Sequence, residues 1–166
     1  MIRVDTTARR LRFGGLDVPC AIGRNGACAA ADKREGDNCT PLGRWPLRAA
    51  LLRPGRVDAP AGLTLPWRWT RSGDGWSDDP DDPAYNRPVR LPRATSAEVL
   101  QRDDQAYDVV IVLGHNDAPP VPGMGSAIFF HIWGEARMTE GCVAVAPEDM
   151  RRILPMLRPG IIMDIA

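Results

Sequence analysis

The chain is 166 residues long, with 44% apolar and 25% charged side chains, the size and balance of a single globular domain. Its 21 basic and 21 acidic residues cancel, so net charge gives no ground for a nucleic-acid partner. Apolar runs such as residues 109–113 are too short to cross a bilayer as a helix.

Sixteen Gly and sixteen Pro argue for many short elements joined by turns, not for a helical bundle. The opening Met1-Ile2-Arg3-Val4-Asp5-Thr6-Thr7 carries no apolar segment of the kind that directs secretion. Turn chemistry at Gly14-Gly15, Asn25-Gly26, Gly36-Asp37 and Pro54-Gly55 punctuates the first half, and strands are predicted at 10–13, 18–22 and 44–52. Residues 66–93 mix Trp67, Trp69 and Trp76 with many Pro and Asp. That stretch is too broken for a regular element, yet its tryptophans predict a packed, ordered excursion. Asp74, Asp78, Asp79, Asp81 and Asp82 within it are expected to be solvated, with attraction of a cationic amine as the functional alternative.

A short helical turn is predicted over 97–102, then buried strands at 107–113 and 126–133 and a third at 142–146. Pro147 suits a first helical position, and Glu148 and Asp149 complement the positive helix end. Met150, Ile153, Leu154 and Leu157 then form one apolar face, which Pro155 should kink or shorten. A final strand is predicted at 161–165. The composition of elements is mainly β with one helix.

Two histidines, His115 and His131, and four cysteines, Cys20, Cys28, Cys39 and Cys142, carry the chemistry available to the chain. There is no C-x-x-C pair and no zinc-finger spacing, so neither a thiol-redox centre nor a structural metal is expected, and no cofactor. Cys142 follows the turn-like Met138-Thr139-Glu140-Gly141, and His131 closes the apolar stretch Ala127-Ile128-Phe129-Phe130. A free thiol, with a pKa of about 8.5, is only a few per cent ionised at neutral pH and needs an adjacent base to act as a nucleophile. Gly141 permits close backbone approach, so that the amides of Gly141 and Cys142 can face a developing oxyanion. Spacing alone leaves open a structural cysteine beside a core histidine.

Gly125-Ser126-Ala127-Ile128-Phe129-Phe130-His131, followed by Thr139-Glu140-Gly141-Cys142-Val143-Ala144-Val145, resembles the catalytic motif of the YkuD-type L,D-transpeptidases. Upstream, Lys33, Gly36-Asp37 and Thr40-Pro41-Leu42-Gly43 resemble that family's lysine, Gly-Asp and Thr-Pro-x-Gly turn, and 157–165 resembles its closing strand. The resemblance runs from about Gly23 to the end. It implies a mainly β, sandwich- or barrel-like YkuD domain with one main helix after the cysteine and a C-terminal strand, filling residues 1–166.

The same resemblance implies action on peptidoglycan stem peptides. Cys142 would attack a peptide carbonyl to give a thioester, His131 would act as base, and the Gly141 carbonyl would orient the imidazole. An amine acceptor gives a cross-link of the 3,3 or the 1,3 type, whereas water gives an L,D-carboxypeptidase. A catalytically silent peptidoglycan-binding domain is the reading from another class. Two residues depart from the motif: Glu140 replaces a second His, and Ala144 replaces an Arg or Asn that would meet a substrate carboxylate. A carboxylate at 140 would raise the thiol pKa unless it points away.

Candidate substrate contacts are Tyr85, Arg87, Ser126, Trp133, Thr139 and Arg137, with Trp133 expected to wall the imidazole. His115 is read as a strand-end residue, and Cys20, Cys28 and Cys39 as small apolar packing groups. The implied substrate places the protein in the periplasm, in conflict with the bare N-terminus. Oligomeric state is left open.

Overall fold

A computed structural model describes residues 1–166. Its strands, in chain order, are β1 (Ile2–Asp5), β2 (Arg10–Phe13), β3 (Leu16–Pro19), β4 (Ala27–Ala29), β5 (Thr40–Leu52), β6 (Trp67–Trp69), β7 (Asp74–Ser77), β8 (Pro88–Arg90), β9 (Ala97–Val99), β10 (Val109–Leu113), β11 (Phe129–Ile132), β12 (Val143–Val145) and, after the helix, β13 (Ile162–Ile165). Helix α1 covers Pro147–Ile153 and tightens into a 3-10 turn at Leu154–Met156, where Pro155 has no N–H for the α ladder. The fold is mainly β, with one short helix and a closing strand. No helix is long and apolar enough to cross a membrane.

Ten strands form one strongly curved, near-barrel sheet, in the order β12-β11-β10-β5-β13-β1-β2-β3, with β4 and β6 pairing separately to β5. The thirteen-residue β5 is its spine. Residues 43–46 pair with β13, and residues 47–52 pair with β10. The first strand, β1, lies parallel to the last, β13, with Ile2 opposite Met163 and Val4 opposite Ile165.

Alternation along β10 explains why the sheet is covered on both faces. Val109, Ile111 and Leu113 enter a large core with Phe130, Ile132, Val143 and Val145, capped by Met150, Ile153, Leu154 and Leu157 from the helix and its exit. Val110 and Val112 point the other way, into a smaller cluster with Leu51, Leu100, Tyr107, Phe129 and Cys142. Over that second face lies a three-stranded sheet, β8-β7-β9.

This small sheet corrects two expectations. Residues 66–93 hold three short strands, and 97–102 begins as a strand, not a helical turn, because β9 pairs with the edge of β7. Its cohesion comes from buried aspartates. Asp74 accepts from Arg68 at 2.6 Å and also from Arg90, and Asp82 accepts from Ser77 at 2.6 Å and from Arg93 and Thr95. These hydrogen bonds hold the Asp82 carboxyl down at about 2, led by the Ser77 hydroxyl and the Ala84 amide. Asp74 and Asp82 are therefore staples, not solvated side chains. Trp76 packs edge-on against Phe129 at 5.3 Å and ties the excursion to the main sheet as expected, whereas Trp67 and Trp69 stay exposed and pack on each other at 5.2 Å.

Cys28 and Cys39 also differ from expectation, since they form a disulfide; Cys20 and Cys142 are free and buried. Parallel pairing of β4 with the start of β5 brings Cys28 opposite Pro41, close enough to Cys39 for the bond. It closes a loop whose Glu35, Gly36 and Asn38 reach the cavity described next.

Candidate active site

Strands β11 and β12 run parallel, with His131 opposite Ala144. Cys142 lies two residues before Ala144 and thus on the same face as His131 and Phe129. The Phe129 amide donates to the Cys142 Sγ at 3.3 Å, and the thiol donates to the Ala127 carbonyl at 3.2 Å. Cys142 and His131 both line a cavity of about 660 Å³.

His131 is buried and its Nδ1 lies 2.7 Å from the Ile132 carbonyl and 3.2 Å from that of Ala106. Carbonyls only accept, so Nδ1 carries the proton and Nε2 keeps the lone pair. The orienting oxygens are thus those of Ile132 and Ala106, and the Gly141 carbonyl is not among them. Gly141 instead shapes the turn: its φ is +136°, and a Cβ there would sit 3.0 Å from the Cys39 carbonyl oxygen.

Burial pushes the Cys142 thiol up to about 12, against the partial opposing effect of the Phe129 amide. Burial likewise pulls His131 down to about 4, opposed by its two carbonyl partners. The resting pair is neutral thiol and neutral imidazole. The Gly141 amide donates to Thr139 Oγ1 at 3.2 Å, while the Cys142 amide has no partner within the protein. Only the Cys142 amide of the two is left to meet an oxyanion.

The remaining predicted contacts separate clearly. Ser126 is buried, lines the cavity, and its hydroxyl has no hydrogen-bond partner. Thr139 also lines it, but its hydroxyl donates to the Cys142 carbonyl at 2.7 Å and accepts from Gly141, so it is occupied in building the turn. Tyr85 is buried behind the wall and donates to Glu35. Arg87 is exposed outside the cavity, where it donates to the Asp117 carbonyl at 2.7 Å. Trp133 and Arg137 pack on each other at 5.0 Å, also outside, because β11 ends at Ile132. Tyr107, not Trp133, walls the imidazole, with ring centroids 5.1 Å apart. His115 is buried against Trp45 away from the cavity, consistent with a packing role.

Acidic residues complete the wall, among them Glu35, Glu98, Asp104 and Glu135, which sequence reasoning passed over. Glu35, Asp78, Glu98, Asp104, Glu135 and Glu140 contribute carboxyl groups, against a single guanidinium, that of Arg102. Glu98, on β9, has its carboxyl raised by burial and by the nearby Asp78 charge. Its sequence neighbourhood carried no catalytic pattern; only the pairing of β9 with β7 brings it to the thiol. Glu140 extends outward to an ion pair with Arg24 at 2.6 Å, its side chain 72% exposed.

A family model described as the L,D-transpeptidase catalytic domain YkuD matches residues 1–165. The chain belongs to the YkuD family. Neither the comparison with curated proteins nor that with solved structures returns a match. Both departures of this YkuD domain from the family motif have a structural account. Glu140 points away from the sulfur toward Arg24. Ala144 is wholly buried, does not line the cavity, and exchanges backbone hydrogen bonds with Ala21 at 2.7 and 2.9 Å, so its methyl offers a substrate carboxylate no partner.

Proposed function

We propose that this YkuD domain is a peptidoglycan L,D-transpeptidase that joins stem peptides through a thioester on Cys142. The observation that carries the reading is a free thiol and a tautomerically fixed imidazole on one face of β11–β12, opening on a single cavity. The Cys142 proton passes to His131 Nε2 as sulfur attacks the donor carbonyl, and the Cys142 amide receives the oxyanion. The imidazolium returns that proton to the departing amine, leaving the thioester. An acceptor amine then gives a proton to His131 and attacks the thioester, and the thiol is restored.

The carboxyl-rich wall supports an amine acceptor over water, since it gathers a cationic group near the thioester. The disulfide supports an oxidising compartment, hence the periplasm, because cytosolic thiols are held reduced. Monomeric tetrapeptide muropeptides are incubated with the protein and with Cys142→Ala, and products are read by mass spectrometry. Dimers made only by the parent protein are expected, and fragmentation assigns them as 3,3 or 1,3. Shortened monomers would move the activity to carboxypeptidase, and unchanged substrates would favour a binding domain.

A further inference from the structure

Asn86 sits at a crossing of three segments and is 4% exposed. Its Oδ1 accepts from the Trp76 indole at 2.8 Å and from the Ala127 amide at 3.1 Å. Its Nδ2 donates to the carbonyls of His115 at 3.1 Å and Asn116 at 2.7 Å. Both lone pairs and both N–H groups are thereby used. Asn86 itself has φ +54°, a left-handed conformation that asparagine tolerates better than most residues.

What this hub holds is unusual. Ala127 has φ +51°, in the left-handed region that a residue with a Cβ rarely adopts. That conformation aims the Ala127 carbonyl at the Cys142 thiol, which donates to it at 3.2 Å. The amide of the same residue is the one Asn86 grips. A carbonyl in that place steadies S–H and repels S⁻, so its position sets both the resting direction of the thiol and the ease of its ionisation.

We propose that Asn86 is a positioning residue for the nucleophile, acting through the strained Ala127 peptide to hold the Cys142 thiol in its resting orientation. The proposal rests on the reading of Cys142 as the nucleophile. Charged and titratable groups around the sulfur are His131, Tyr107, Glu98 and Lys33, with the charge of Glu140 acting from its outward ion pair with Arg24, and none of them hydrogen-bonds to the sulfur.

The test is the pH profile of Cys142 alkylation by iodoacetamide, resolved from Cys20 by peptide mass mapping, alongside turnover. Asn86→Ala should keep its circular dichroism spectrum, lose about tenfold or more in turnover, and shift the alkylation midpoint down by about one pH unit as the carbonyl retreats. Asn86→Asp retains an acceptor for Ala127 and Trp76, and its midpoint should stay at or above that of the parent protein. An unchanged midpoint in Asn86→Ala, or a downward shift in Asn86→Asp, overturns the assignment. Should Asn86→Ala fail to fold, the Asn86→Asp midpoint decides alone. Because alkylation needs no peptide substrate, the expected shifts without turnover in the parent would refute the transpeptidase reading and leave the positioning role standing.

Discussion

At the scale of single residues, His131 and Glu140 make a contrasting pair. His131 is fixed by two carbonyls with its basic nitrogen free, and no other imidazole reaches the cavity. His131→Ala should fold normally and lose about 10²–10⁴-fold in turnover, the usual worth of a general base. Glu140 is exposed and spends its charge on Arg24, so Glu140→Gln should stay within about threefold of the parent rate. Steady-state rates on the same tetrapeptide check both, and complete loss in Glu140→Gln would make that carboxylate catalytic. Cys142 and His131 were legible because they lie in one ordered run of side chains. Ile132 and Ala106 were not, since they act through backbone oxygen, which leaves no residue signature. Asn86 lay between Tyr85 and Arg87, both noticed for their chemistry, and its own part is evident only once Ala127 is beside it.

At the scale of elements, β11 divides its duties by alternation: His131 and Phe129 face the site, while Phe130 and Ile132 face the large core. Phe130 is fully buried there. Phe130→Ala should lower unfolding free energy by about 3–5 kcal/mol in a urea titration, the cost of a large aromatic cavity. Cys142 alkylation in the still-folded variant should follow the parent profile, because the lost side chain lies on the opposite face. Strands with β-branched runs, such as β10, were readable from sequence, and so was α1 with its proline start. The β7–β8–β9 sheet was not. Its strands are three or four residues long, and their stability comes from Asp74 and Asp82 bonding to arginines and hydroxyls across neighbouring turns, a side-chain effect that the apolar pattern does not register.

For the whole molecule, the buried ionisable groups define a pH range of greatest stability. Burial pulls His131 and His115 from 6.5 down to about 4. Below pH 6.5 the unfolded chain takes up protons that the folded chain refuses, so stability falls as pH drops toward 4. Burial pushes Cys142 and Cys20 from 9.0 up to about 12, so above pH 9 the unfolded chain releases protons first and stability falls again. Thermal melts should therefore show a Tm plateau between about pH 6.5 and 9; a Tm that rises on acidification from 6.5 to 5 would contradict it.

The parallel pairing of β1 with β13 gives the molecule a temporal order as well as a shape. Synthesis delivers residues 2–5 first among the strands and residues 162–165 last, and β13 also fills the place between β1 and β5. A nascent chain that has not yet emerged as far as β13 leaves the facing edges of both strands open, so the sheet cannot close while translation of the domain is under way. The thiol stands on a sheet that is completed only by its final strand.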